Sequence, residues 1–163
     1  MNDTVVISVG HGHRGDDGVG AACLRRLATL GADVARTHAR PDAGDLARAM
    51  SGRKRAFLID ACRMGAAPGQ IRTFDLRDPG LSARLRPRHG MELLEAVALL
   101  RALYGLPETC RLIVIEAATL GHGDRLSPPV EAAVRKVADA LMRMSHGQSD
   151  TLMDEIAMGN SFD

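Results

Sequence analysis

Three places in this 163-residue chain gather the residue types that do proton or metal chemistry. The first is Gly10-His11-Gly12-His13-Arg14-Gly15-Asp16-Asp17-Gly18-Val19-Gly20, which packs five glycines and two adjacent aspartates into eleven residues. The second is Asp60, at the end of the apolar run from Arg55 to Ala61 and followed by Ala61-Cys62. The third is His89, which precedes Gly90 and a stretch of helical apolar spacing. Two carboxylates and an imidazole in one crevice suit a borderline divalent metal and leave positions open for water or substrate. The same trio can also serve as acid and base with no metal. Residue type alone leaves both chemistries open.

Each place also has a plainer reading. A glycine-rich turn between strand and helix is often only a tight connection, or a cradle for phosphate. Paired aspartates at a helix start would repel phosphate, which disfavours a nucleotide site. Asp16 reads first as a helix N-cap, and that assignment leaves Asp17 without a structural task. Asp60 can cap a turn, and His89 taken alone reads as a surface histidine. His11 and His13 flank Gly12 and can ligate a metal, although two histidines in a glycine loop usually do nothing together. Cys62 and Cys110 read as buried bystanders.

The elements that must position these groups follow from periodicity. Thr4 to Val9 reads as a buried strand, and Asp17 to Leu30 as a helix closed by Gly31. Asp33 to Arg36 is a weaker strand candidate, and Ala43 to Met50 a short helix with Leu46, Ala47 and Met50 on one face. Arg55 to Ala61 is a second buried strand, and Gln70 to Phe74 alternates like an edge or hairpin strand. Residues 75–88, rich in Arg, Pro and Gly, read as a loop. A helix from Gly90 to Tyr104 presents Leu93, Leu94, Val97, Leu100, Leu103 and Tyr104. Arg111 to Ala117 is a third buried strand. The last firm helix starts at Ser127-Pro128-Pro129, with a stripe of Val130, Val134, Val137, Leu141 and Met144.

Strands alternating with helices imply an α/β three-layer sandwich: a twisted, mostly parallel sheet of about five strands, with helices on both faces. Ligands bind such sheets beyond the carboxyl ends of the strands, where Asp17, Asp60 and His89 are all expected. The domain is expected over residues 1–146, with 147–163 read as a mobile tail that lacks a sustained stripe in preference to a marginal helix over Ser149 to Met158.

Composition narrows the function classes. With 21 basic and 20 acidic residues the net charge is +1, which argues against a polyanion binder held by net charge. Aromatic residues make up only 2%, so base-stacking platforms for nucleic acid are not expected. The acidic N-terminus, the lack of a long apolar run and three scattered cysteines predict a cytoplasmic chain with no membrane segment.

The glycine-rich segment from Gly10 to Gly20 resembles the N-terminal signature of the maturation endopeptidases of nickel-iron hydrogenases. The resemblance continues through Leu58-Ile59-Asp60-Ala61, the Ala67-Pro68-Gly69 turn and His89-Gly90-Met91-Glu92-Leu93. It also takes in Leu106-Pro107 and residues 123–134, so that it spans roughly residues 4–144 in one order. It implies removal of a C-terminal extension from the hydrogenase large-subunit precursor once nickel has been inserted. Carried over by position, the metal-contacting and catalytic residues are Asp17, Asp60 and His89. Nickel is then supplied by the precursor rather than permanently bound, and the enzyme is expected to be a monomer. The ion can polarise the scissile carbonyl or lower the pKa of a water, or a carboxylate can act as general base. A non-catalytic nickel checkpoint or carrier on the same precursor is the alternative. Two departures stand out. His11 occupies a position usually held by Asn, and Arg40-Pro41-Asp42-Ala43-Gly44-Asp45-Leu46 replaces a glycine- and threonine-rich motif associated with precursor recognition.

Overall fold

Short aliphatic runs supply the strands, and each buries alternate residues against opposite layers. The computed structural model describes residues 2–10, 18–81, 91–118, 125–149 and 151–158. The strands are β1 (Thr4–Val9), β2 (Ala35–Ala39), β3 (Arg55–Cys62), β4 (Ile71–Asp75) and β5 (Thr109–Glu116). The helices are α1 (Val19–Thr29), α2 (Ala43–Met50), α3 (Met91–Leu103), α4 (Pro128–Ser145) and α5 (Thr151–Met158).

The sheet order is β2-β1-β3-β5-β4. β2, β1, β3 and β5 are parallel, and β4 runs antiparallel beside β5. This is the expected α/β sandwich. Val5, Ile7 and Val9 of β1 face one layer with Leu46 of α2 and Leu93, Val97 and Leu100 of α3. Val6 of β1, with Phe57 and Ile59 of β3, faces the other layer, built from α1 and α4. Fully burying a Leu, Ile or Phe of this kind contributes about 1.5–3 kcal/mol.

Several boundaries differ from the sequence reading. β2 lies at Ala35–Ala39, shifted from the expected 33–36, because Thr37, His38 and Ala39 pair with Ile7, Ser8 and Val9. Ladder pairing overrides the weak hydrophobicity of those residues. On α3 the buried row is Leu93, Ala96, Val97 and Leu100, whereas Leu103 and Tyr104 are each 64% exposed. At about 100° per residue Leu103 falls on the flank of that row, and Tyr104, though in phase, lies past the helix end.

The segment after residue 146 also departs from the expected mobile tail. Residues 151–158 form α5, and Met153 is fully buried in the α1/α4 layer, with Ile156 partly buried beside it. Asp154 pairs with Arg111 of β5, and Thr73 of β4 donates to the same carboxylate at 3.3 Å. An eight-residue helix is too short to persist alone, so these tertiary contacts give α5 its reason to form.

β4 follows β3 in sequence but sits beyond β5, and an antiparallel neighbour can be reached through the short connection 63–70. Gly69 in that connection has φ +86° and donates its N–H to the Glu116 carbonyl at 2.8 Å. A Cβ there would stand 2.4 Å from the Pro129 carbonyl oxygen, so only glycine lets the turn lie against the start of α4.

Candidate active site

Parallel pairing of β1, β3 and β5 puts their carboxyl ends on one rim. The β1–β3 ladder runs to Ser8 and Ile59, so the next residues of β3 extend past the end of β1 while still paired with β5. Asp60 stands there, half-buried, with its Oδ1 accepting the Ala61 N–H at 2.8 Å. Gly10 leaves β1 with φ +143°, a backbone that side-chain-bearing residues rarely adopt. A Cβ on Gly10 would lie 3.6 Å from Asp60 Oδ1. The first glycine of the segment that carries Asp17 therefore rests against the Asp60 carboxylate.

Asp17 and His89 lie outside the described residues, as do Asp16, His11 and His13. The described flanks still bear on them. The N-cap position of α1 belongs to Gly18, and the first turn of α1 holds no acidic residue. The N-cap position thus falls two residues after Asp16 in sequence, and the expected capping by the Asp16 side chain lies outside the described residues. Helix α3 starts at Met91, which puts His89 just upstream of a helix start in sequence, as expected. Among the described residues, no group of three His, Cys, Asp or Glu side chains is arranged to hold a metal.

One buried carboxylate on this rim escaped the sequence reading. Glu116, at the carboxyl end of β5, is 4% exposed. It accepts the Met64 N–H at 2.9 Å and the Gly65 N–H at 3.1 Å, and Cys62 Sγ lies 3.4 Å from its other oxygen. These bonds satisfy a carboxylate that burial would otherwise penalise, and they fix the loop that leaves β3 after Cys62. The only sequence signal was an acid interrupting the apolar run Arg111 to Ala117. Burial pushes the Cys62 thiol well above the ordinary thiol range, and the neighbouring Glu116 charge pushes in the same direction. All three cysteines are buried and free, as expected of bystanders.

The divergent segment 40–46 has a local explanation. Asp42 is the N-cap of α2, accepting the Asp45 N–H at 3.0 Å. Hydrogen bonds from Arg40 and then Arg48 hold the Asp45 carboxyl down at about 2. Both acids of the segment thus serve the start of α2.

With this geometry in view, the comparisons are consistent. The family model HycI, hydrogenase maturation protease, matches residues 42–144. The NiFe hydrogenase maturation protease HybD from Thermococcus kodakarensis is 25% identical, with a TM-score of 0.70 over 89% of this chain and 99% of that one. The hydrogenase maturating endopeptidase HybD from E. coli is 22% identical, with a TM-score of 0.69 over 89% and 94% of the two chains. The solution structure of the endopeptidase HycI from Escherichia coli gives 22% identity and a TM-score of 0.64 over 88% and 90%. A search of curated proteins found no significant match. No helix among the described residues is long and apolar enough to cross a membrane. The matched family model covers well over half of the sequence, from the start of α2 to the end of α4, and on that ground the chain belongs to the hydrogenase maturation protease family.

Proposed function

We propose that the chain is a nickel-dependent endopeptidase that removes the C-terminal extension of a nickel-iron hydrogenase large-subunit precursor after nickel insertion. In this reading Asp17, Asp60 and His89 grip the nickel carried by the precursor, and the protein works as a cytoplasmic monomer. The observation that carries the reading is the position of Asp60, half-buried on the strand-end rim and in contact range of Gly10, where the Asp17 segment begins. Two carboxylates drawn into one crevice repel each other, and a divalent ion relieves that repulsion. Carboxylate and imidazole donors together suit a borderline ion such as nickel.

The precursor's nickel then acts as part of the substrate, supplying Lewis acidity at the scissile carbonyl. The chain's own residues hold and orient. The Ala61 N–H fixes the rotamer of Asp60, and the Glu116 bonds to Met64 and Gly65 brace the loop behind it. Gating by the substrate's own metal would restrict cleavage to precursors whose insertion is complete.

The test is incubation of the purified protein with nickel-loaded and nickel-free precursor, followed by intact mass. Loss of a C-terminal peptide from the loaded form alone is the expected result. Tight binding to the loaded precursor with no loss of mass would replace the endopeptidase with a nickel checkpoint or carrier.

A further inference from the structure

A cleft of about 510 Å³ lies along the seam between α1 and α4, away from Asp60. Four arginines line it: Arg25 and Arg26 from α1, Arg125 just before α4, and Arg135 on α4. Among the described residues, one carboxylate stands against them in the lining, Glu131. This local excess does not reflect the chain as a whole, whose net charge is only +1. Arg26 is held by Asp139 at 3.2 Å and Arg135 by Glu131 at 3.0 Å, so these two are anchored. Arg25 and Arg125 are exposed, and among the described residues neither meets a carboxylate. Ala22, Leu126 and Val134 supply its apolar lining.

We propose that this cleft is a docking groove for an acidic, partly apolar peptide segment of a protein partner, with Arg25 and Arg125 taking its carboxylates. The planar guanidinium fork matches a carboxylate with two parallel N–H donors, while the charges of Arg26 and Arg135 are offset by Asp139 and Glu131. A phosphate polymer is the poorer fit. It would run its unbroken charge over Glu131 and three apolar side chains, and among the described residues no aromatic lines the cleft to stack a base. An acidic peptide can place apolar side chains on the apolar lining between its carboxylates. α1 and α4 each follow a parallel strand, so both run back from the carboxyl rim, and Arg125 sits at the rim end of the groove. The groove is inferred from charge and shape alone and does not depend on cleavage of any substrate.

The test uses the full chain and a fluorescein-labelled twelve-residue peptide alternating Glu and Leu, read by fluorescence anisotropy. A twin with Lys in place of Glu, and inorganic tripolyphosphate as competitor, supply the contrasts. The acidic peptide is expected to bind saturably and to weaken as salt screens the exposed charges. The double variant Arg25→Glu/Arg125→Glu should weaken binding by about tenfold or more, the scale of losing two charge-assisted contacts. The control Arg143→Glu, at the far end of α4, should bind like the parent, and matching circular dichroism would confirm that the double variant is folded. If that variant is unfolded, Arg25→Ala and Arg125→Ala singly should each still weaken binding. Equal binding of the Lys twin, unchanged affinity in the folded variants, or tighter retention of tripolyphosphate than of the peptide would each overturn the proposal.

Discussion

Truncating one side chain tests whether α5 belongs to the core. Met153 has no exposed surface and lies in the layer formed by α1 and α4 against the sheet. Met153→Ala removes three heavy atoms from that layer, and Met→Ala changes in packed interiors cost about 2–5 kcal/mol. The lower half of that range is expected here. A short terminal helix can undock instead of bearing a cavity, so its docking free energy caps the loss. For a chain of this length each kcal/mol moves the Tm by about 2–4 °C, so a fall of about 4–14 °C should appear in a thermal melt. Met153→Leu conserves volume and should cost under about 1.5 kcal/mol. Hydrogen exchange separates the two responses, since undocking exposes the amides of 151–158 while a cavity leaves them protected. Truncation after Gly147 should destabilise at least as much as Met153→Ala, because it also removes the Asp154 partner of Arg111. A melt within about 1 °C of the parent and unchanged exchange over 151–158 would refute the docking.

Four further outcomes are expected. Asp17→Asn and His89→Ala should each abolish precursor cleavage with the fold intact, and Asp17→Asn should be neutral or stabilising by about 1 kcal/mol through relieved repulsion. A stability loss in Asp17→Asn with cleavage retained would remove that residue from the site. Gly20→Ala should cost about 1–3 kcal/mol in urea unfolding, because its Cβ would stand 2.3 Å from Ser8 Oγ; Ser8→Gly should recover part of the loss. Glu116→Gln should destabilise by about 1–3 kcal/mol by weakening the acceptor for the Met64 and Gly65 amides, and an unchanged denaturation midpoint would contradict the bracing role. Burial pushes the Cys23 thiol up to about 12, so it stays protonated when folded and ionises near 8.5 once unfolded. Its contribution to stability is therefore full below about pH 8.5 and falls by about 1.4 kcal/mol per pH unit above it. Iodoacetamide at pH 8 should spare all three cysteines until the protein unfolds.

Local chemistry determined much of this protein. The runs Thr4 to Val9, Arg55 to Ala61 and Arg111 to Ala117 could only be buried strands, because β-branched and aliphatic residues in short unbroken runs need cover on both faces. Alternation with helical stripes then fixed a parallel sheet and a strand-end rim, with Asp60 near its edge. Tertiary structure decided what depends on residues distant in sequence. The register of β2 comes from its ladder with β1, since Arg36 and His38 leave the segment without an apolar pattern of its own. Helix α5 forms because Met153 finds the α1/α4 layer and Asp154 finds Arg111, whereas eight residues alone are below the length at which helices persist in water. Glu116 was invisible as a structural acid because its amide partners come from a loop that its own strand does not contain. Sequence pattern encodes what a residue does with its near neighbours; burial and pairing across the sheet depend on which surfaces meet, and only the folded chain sets that.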